Sequence, residues 1–275
     1  MSNGARGHMA ASGYVELNGA RLWYETTGDG DALLLLHAGI CDANMWDEHM
    51  EPLSARFRVI RYDMRGFGRS NLPDGAFAAH DDARALLASL GVGRAHIVGV
   101  SMGGTVALNL ALTYPDCVSA LILVSTTVGG FTFAGPPSWV DELQAQIEAA
   151  DAAGDVDLLN ELEVRKWVDG VGRTSDQVDR SVRTRVLAMN RHNIELENPL
   201  AMPVGLTPPA VERLGEVHLP TLVIAGERDV PSTRASCALL ATSISGARLV
   251  EMAGTAHLPC MERPVEFDAH VLGFL

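Results

Sequence analysis

The 275-residue chain is poor in lysine and cysteine and has no long apolar run, and each scarcity excludes a class of protein. Its only lysine is Lys166, and 34 acidic residues outnumber 21 basic ones, which gives a formal net charge of −13. No cluster of arginines offsets that charge, so the average field repels polyanions and excludes nucleic acid as a partner. No apolar run reaches the roughly 18 residues of a membrane-spanning helix, so we expect no membrane partner.

The four cysteines, Cys41, Cys117, Cys237 and Cys260, are far apart and have none of the paired spacings of a metal site. We expect reduced thiols in a cytoplasmic protein, because no apolar segment near the N-terminus resembles a secretory signal. Residues 1–12 are predicted as a tail outside the fold, either disordered or derived from cloning. Neither a metal site nor a cofactor site is predicted.

Short apolar segments predict the fold class. Residues 14–17 and 20–26 alternate apolar and polar side chains around Asn18-Gly19, a pattern typical of an antiparallel hairpin. Later apolar runs are separated by helix-length segments, which predicts an α/β fold with a mostly parallel sheet and helices on both faces. These runs are residues 32–36, 58–62, 96–100, 120–124, 221–225 and 248–252.

This alternation is interrupted by residues 126–220, a connection far longer than an ordinary crossover. Apolar residues at helical spacing predict three helices there, and glycine and proline clusters mark both ends. The sequence therefore predicts an inserted helical cap, residues 129–208. The rest of the fold is a single core made of residues 13–128 and 209–275.

Ser101 is the strongest candidate for catalysis. It occupies the centre of Gly99-x-Ser101-x-Gly103, where the apolar run of residues 96–100 meets a helical pattern. Small residues flank the serine because a strand-to-helix turn this tight has no room for larger side chains. Such a turn lifts the hydroxyl above the strand edge, where a substrate carbonyl can reach it, so we predict Ser101 as a nucleophile.

A serine hydroxyl needs a base to activate it, and the base needs an acid to orient it. Among nine histidines, His257 lies just past the run of residues 248–252, at the sheet edge where Ser101 also emerges. Asp229 directly follows the preceding strand at the same edge and is better placed than Glu227. We predict a triad in the chain order Ser101, Asp229, His257.

Together with three loop motifs, this triad order resembles the α/β-hydrolase superfamily over residues 14–275 apart from the cap. The motifs are His37-Ala38-Gly39, Asp63-x-Arg65-Gly66-x-Gly68-x-Ser70, and His257 followed by Glu262-Arg263-Pro264. The resemblance implies an oxyanion hole made by the backbone N–H groups of Gly39 and Met102, with His37 bracing the loop. Asp63 and Arg65 are predicted to have structural roles, because they lie on the loop after a different strand.

Within the superfamily, the motifs resemble small carboxylesterases and enol-lactonases most closely, with cofactor-free haloperoxidases sharing many of them. Serine at position 101 disfavours haloalkane dehalogenases and epoxide hydrolases, which have aspartate there. The resemblance therefore implies hydrolysis of a small ester or lactone through an acyl-enzyme, without metal or cofactor. Two alternatives stay open. One is a carbon–carbon bond hydrolase, although residues 37–41 lack its usual glycine-rich loop, and the other is a small-molecule receptor or regulatory binding protein.

Several side chains of the cap and the motif loops are candidates for lining the substrate pocket, although the aromatic ones equally fit a role in anchoring the cap. These candidates are Ile40, Phe131, Trp139, Trp167 and Leu258. Residues 141–198 carry thirteen acidic and seven basic side chains, so an anionic substrate gains no attraction there. The sequence predicts no oligomeric state.

Overall fold

The computed structural model describes residues 10–136 and 139–275, which form ten strands and nine α-helices. The strands are β1 (Ala11–Leu17), β2 (Ala20–Thr27), β3 (Asp31–Leu36), β4 (Phe57–Tyr62), β5 (Gly75–Phe77), β6 (Ala95–Val100), β7 (Val118–Val124), β8 (Ala201–Pro203), β9 (Thr221–Gly226) and β10 (Arg248–Met252). Eight of them form one sheet in the order β1-β2-β4-β3-β6-β7-β9-β10. Every neighbouring pair from β4 to β10 is parallel, and only β2 runs in the opposite direction.

Helices follow most of the parallel strands. They are α1 (Asp47–Ser54), α2 (Ala79–Ser89), α3 (Met102–Thr113), α4 (Trp139–Ala152), α5 (Val156–Val164), α6 (Arg180–Glu195), α7 (Pro231–Ser243), α8 (Pro259–Glu262) and α9 (Pro264–Phe274). None of these described helices combines the length and the apolar character needed to cross a bilayer.

The central strands are covered on both faces, as β3 illustrates. Leu34 and Leu36 pack in a buried cluster with side chains of α2, α3 and α7. Leu33 and Leu35 point to the other face and pack with side chains of α1 and α9. Because successive residues of a strand alternate between faces, a strand between two helical layers is apolar throughout. The α/β fold predicted from the sequence is therefore confirmed.

The cap interrupts the sheet between β7 and β9. It contains α4, α5, α6 and, between α5 and α6, a π-helical turn at Arg165–Asp169. α4 and α5 enclose a small buried cluster of their own, whereas the apolar face of α6 and Val168 of the turn join the larger cluster on one face of the sheet. The three helices lie where the apolar spacing predicts them, and α6 together with the turn joins the cap to the core.

Two features of the fold differ from the sequence predictions. β1 begins at Ala11, and residues 11 and 12 pair with Thr26 and Glu25 across the hairpin, so they belong to the sheet and not to a tail. Of the predicted tail, residues 1–9 lie outside the described residues, and Ala10 is exposed and has no regular secondary structure. β5 and β8 form a second parallel sheet that the sequence does not predict, because strands of three residues are too short to show alternation. Their pairing ties the end of the cap to the loop after β4.

Candidate active site

Ser101 lies at the turn between β6 and α3, in an uncommon backbone conformation. Its φ of 53° and ψ of −114° fall where non-glycine residues are strained. The turn is also crowded, since a Cβ on Gly99 would lie 2.3 Å from the carbonyl oxygen of Gly103, and a Cβ on Gly103 would lie 2.4 Å from that of Leu36. The glycines of the motif are therefore required by close contact between backbones, and this contact fixes the direction of Ser101.

His257 and Asp229 form a buried pair. The Nδ1 atom of His257 lies 2.9 Å from Oδ2 and 3.0 Å from Oδ1 of Asp229, and the two side chains are 3% and 1% exposed. The backbone N–H of Val230 donates to Oδ1 of Asp229 at 2.7 Å, which holds the carboxylate in place. When Nδ1–H faces a carboxylate, Nε2 is left as the proton acceptor. This is the arrangement that a general base requires.

The loops that carry this pair are fastened to each other. The N–H of Arg228 donates to the carbonyl of Thr255 at 2.7 Å, and Oε2 of Glu227 accepts the N–H of Gly254 at 2.8 Å. Glu262, from the motif after His257, accepts the N–H of Ala256 at 2.6 Å. Glu227 therefore joins the aspartate loop to the histidine loop, and Glu262 braces the histidine loop internally. Neither carboxylate contacts the Asp229 carboxylate in the contacts that the structure records.

The two predicted oxyanion donors lie on adjoining backbone segments. A Cβ placed on Gly39 would be 3.8 Å from both Cβ and Sδ of Met102. Met102 is the first residue of α3, where backbone N–H groups have no partner within the helix and the helix dipole is positive. Nε2 of His37 accepts the N–H of Met64 at 2.9 Å, and Nδ1–H donates to the carbonyl of Ala38 at 2.9 Å. Burial lowers the pKa of His37, so the ring stays neutral and braces the loop.

The motif containing Asp63 and Arg65 supports the same edge of the sheet. The buried Asp63 carboxylate accepts the N–H groups of Ala43 and Arg69 and pairs with the Arg69 guanidinium at 2.6 Å. Arg65 donates to both oxygens of Asp82 at 2.9 Å. These side chains are fully engaged with their neighbours, in agreement with the structural roles that the sequence predicts.

A cavity of about 610 Å³ lies between the core and the cap, within the usual size of a small-molecule site. Ser101, His257, Gly39 and Met102 all line it, so the structure brings the predicted nucleophile, base and oxyanion donors to one space. Much of the remaining wall is apolar. Its apolar members include Ile40, Met64, Phe67, Leu72, Val106, Trp167, Ile194 and Val204.

Of the five predicted pocket residues, Ile40 and Trp167 line the cavity. The other three are outside the lining formed by the described part of the chain. Phe131 packs against the cluster of α2, α3 and α7, Trp139 packs on the small cluster of α4 and α5, and Leu258 is completely buried beneath the sheet edge. These positions match the anchoring role that the sequence left open for the aromatic side chains.

Sequence reasoning missed the polar wall that the cap contributes, which includes Glu163, Asn190, Asn193 and Glu197. The sequence does carry a signal for two of them, because Asn190 and Asn193 interrupt the apolar face of α6. The structure shows that both asparagines are buried. The amide of Asn190 donates to Oε2 of Glu163 at 2.7 Å. A buried amide on an apolar helical face is a sign of a polar partner or a lined cavity.

The charges of the cavity wall are predominantly acidic. Burial raises the pKa of Glu163 and also that of Glu197, since both carboxylates face a partly desolvated space. Burial lowers the pKa of His80, which keeps this ring neutral near pH 7. Among the described lining residues, Arg65 is the one arginine or lysine, and it is committed to Asp82. The wall therefore favours a neutral or cationic ligand over an anionic one.

Within residues 10–136 and 139–275, no group of three or more histidine, cysteine, aspartate or glutamate side chains is arranged to hold a metal ion. Cys41 and Cys260 follow the oxyanion loop and His257, but both are fully buried, and burial raises the pKa of each thiol well above its usual range. Thiols in such surroundings stay protonated and do not act as nucleophiles.

Comparison with known proteins establishes the family. A model described as the alpha/beta hydrolase fold matches residues 31–264, so the chain belongs to the α/β-hydrolase family. A pimeloyl-(acyl-carrier protein) methyl ester esterase from Nitrosomonas europaea is 30% identical over 256 residues, which is 90% of this chain and 97% of that protein.

Two further relatives differ in the reaction that their names describe. The crystal structure of an enol-lactonase from Burkholderia xenovorans LB400 superimposes with a TM-score of 0.76 at 26% identity, covering 95% of this chain and 99% of the other. A 2-hydroxy-6-oxononadienedioate/2-hydroxy-6-oxononatrienedioate hydrolase from Burkholderia vietnamiensis is 33% identical over 221 residues, 76% of this chain and 75% of that protein. The family resemblance predicted from the motifs is confirmed. The relatives described above are named for different reactions, so the comparison identifies the family and not one reaction.

Proposed function

We propose that the protein is a serine hydrolase that cleaves a small carboxylic ester or lactone through an acyl-enzyme. The observation that carries this proposal is the single cavity shared by Ser101, by His257 with its Asp229 partner, and by the adjoining backbone of Gly39 and Met102. Two of the relatives described above are an esterase and an enol-lactonase, which supports this choice of bond.

In the first half of the proposed reaction, the Oγ atom of Ser101 attacks the carbonyl carbon while Nε2 of His257 accepts the hydroxyl proton. Asp229 holds the ring in the required tautomer and stabilises the imidazolium. The N–H groups of Gly39 and Met102 bind the oxyanion, and each such donor stabilises a tetrahedral intermediate by about 3 kcal/mol. The positive end of the α3 dipole adds to this stabilisation.

In the second half, His257 returns the proton to the leaving oxygen as the ester C–O bond breaks, and an acyl group remains on Ser101. Water then attacks the acyl carbonyl with its proton passing to His257, and the carboxylic acid leaves as Ser101 regains its hydrogen. With a lactone, the released hydroxyl stays attached to the acyl chain, so the product is a single hydroxy acid.

Hydrolysis of a carbon–carbon bond is the second candidate, favoured by the relative from Burkholderia vietnamiensis. A 2-hydroxy-6-oxo dioate has no ester bond, and it carries a carboxylate at each end. The cavity wall of this chain bears Glu163 and Glu197, and its Arg65 is paired with Asp82. A dianionic substrate is therefore poorly matched here, which supports the ester or lactone reaction over the alternative.

The test is a substrate panel of p-nitrophenyl esters from acetate to octanoate, run beside γ- and δ-lactones of matched length and a 2-hydroxy-6-oxo dienoate. We expect rapid turnover of at least one neutral ester or lactone, and loss of about 10⁴-fold or more in kcat for Ser101→Ala. Hydrolysis of the dienoate alone would replace this proposal with the second candidate. Slow turnover of every substrate, unchanged in Ser101→Ala, would favour a binding protein.

A further inference from the structure

The π-helical turn of the cap at Arg165–Asp169 is docked on both loops of the candidate catalytic pair. Such turns are rare in proteins, and a large share of them lie at functional sites. The turn is followed by Gly170, whose φ of 70° favours glycine. A Cβ on this residue would lie 2.5 Å from Cβ of Ala256 and 2.6 Å from the carbonyl oxygen of Arg228. The cap backbone therefore reaches the histidine loop and the aspartate loop together.

Trp167 makes the contacts with the base itself. Its carbonyl oxygen accepts the backbone N–H of His257 at 3.2 Å. Its indole lies against the imidazole, with ring centroids 4.3 Å apart and planes inclined by 38°. Trp167 also lines the cavity, so its ring forms a wall on one side of the histidine.

The turn is held in this place by contacts on both sides. The N–H of Val171 donates to the carbonyl of Arg228 at 2.7 Å. The guanidinium of Arg173 donates to the carbonyls of Val168 at 2.7 Å and Gly254 at 2.9 Å, and it pairs with Glu262 at 2.6 Å. Arg173 thus joins the turn to the loop that carries His257, and these contacts fix the position of Trp167.

We propose that Trp167 is a positioning residue for the catalytic base, through the stacking of its indole on His257, so that the cap controls turnover as well as access. The inference rests on the proposed function. The bond to Asp229 fixes Nδ1, but the ring can still tilt about that bond. An aromatic wall removes this freedom and also favours the imidazolium that forms when the base takes a proton.

Two variants separate stacking from space filling, with p-nitrophenyl acetate as the substrate because its acyl group is too small to use the far wall of the cavity. Trp167→Leu keeps an apolar side chain but removes the aromatic face, and we expect kcat to fall about 10- to 100-fold with little change in KM. Trp167→Phe keeps an aromatic ring, and we expect it to retain kcat within about threefold.

Leu143→Ala is the matched control, because Leu143 is buried in the small cluster of α4 and α5 and away from the cavity lining. We expect this variant to lower Tm by several degrees and to leave kcat unchanged at 25 °C. If Trp167→Leu changed only KM, Trp167 would be a wall of the pocket and no more. If Leu143→Ala lost kcat in the same proportion to its loss of Tm as the Trp167 variants do, the role of Trp167 would be structural.

A proton NMR measurement decides the inference even if the protein hydrolyses no ester. The hydrogen-bonded Nδ1–H of His257 is expected to give a low-field resonance, identified by its absence in His257→Gln. We expect this resonance in the parent and in Trp167→Phe, and its loss by exchange broadening in Trp167→Leu. Its persistence in Trp167→Leu would overturn the positioning role, whereas failure of the ester panel alone would overturn only the proposed function.

Discussion

The core and the cap reach the same cavity by different physical routes. On the core, Ser101, Asp229 and His257 each follow a parallel strand, and the carboxyl ends of parallel strands meet at one sheet edge. In the cap, Glu163 and Trp167 reach the cavity because α5 and the π-helical turn are packed against the core. Backbone topology thus brings the candidate catalytic residues of the core together, whereas side-chain packing between cap and core determines which cap residues line the same cavity.

The largest effect is expected at the acid of the core. Asp229→Asn keeps the shape of the side chain, but an amide presents its own N–H groups toward Nδ1 of His257 and selects the wrong tautomer. We expect kcat for a p-nitrophenyl ester to fall by about 10⁴-fold with the fold intact. Steady-state kinetics and a thermal melt measure the two quantities.

A second buried aspartate–histidine pair supplies the control. Nδ1 of His49 lies 2.6 Å from Oδ1 of Asp268, and neither side chain lines the cavity in the described residues. Asp268→Asn should lower Tm and leave kcat within about twofold. Comparable losses of kcat in both variants would contradict a special role for Asp229.

The next effect concerns the backbone of the turn that carries Ser101. Gly99→Ala places a Cβ 2.3 Å from the carbonyl oxygen of Gly103 and 2.6 Å from the nitrogen of Gly104. These are backbone atoms at the start of α3, which cannot yield as the end of a flexible side chain could. We expect the free energy of unfolding to fall by about 3 kcal/mol in a urea titration. Gly93→Ala is the control, because nothing lies within 4 Å of its Cβ position. Equal stability of the two alanine variants would mean that the turn accommodates a Cβ at position 99 without strain.

The difference between core and cap also explains what the sequence could predict. The eight-stranded sheet was predictable because β3, β6, β7 and β9 are covered on both faces and are therefore continuous apolar runs. Ser101, Asp229 and His257 are predictable as candidates from their places after strands, without reference to any side-chain contact. The strand ends carry this information because parallel topology alone determines which loops meet.

The contribution of the cap was not predictable in the same way. Trp139 and Trp167 both sit on apolar helical faces, yet Trp139 packs inside the cap and Trp167 lies against His257. The difference arises from the π-helical turn, in which each hydrogen bond spans one residue more than in an α-helix. The side chains that follow α5 therefore point in a different direction from those of a continuous α-helix. Helical periodicity assumes a regular repeat, so it does not register such a turn.

A smaller effect tests whether the cap opens independently of the core. The cluster formed by α4 and α5 is small, with Leu143 among its most buried members. Leu143→Ala should lower the opening free energy of amides in α4 and α5 by about 2 kcal/mol. It should lower the larger opening free energy of amides in β3 and β6 by a similar amount, because the native state itself loses the contacts of Leu143. Native-state hydrogen exchange measures both groups of amides. The matched variant Leu35→Ala, in the central sheet, should lower protection of the sheet amides alone, because the core is still folded when the cap opens. Loss of protection in sheet and cap together in this variant would mean that core and cap unfold as one unit.

The smallest effect is expected at the acidic wall of the cap, where burial raises the pKa of Glu163 in the folded state. A carboxyl with a raised pKa binds more protons folded than unfolded, so its contribution to stability is present below the unfolded pKa of about 4.3 and declines as pH rises through the folded value. Glu163→Gln removes this decline and keeps an oxygen that can accept from Asn190. We therefore expect the variant to gain stability relative to the parent between pH 4 and pH 7 in urea titrations. Glu16→Gln, on the exposed face of β1, should show no such gain, and the absence of any difference between the two variants would mean that the cavity leaves Glu163 fully hydrated.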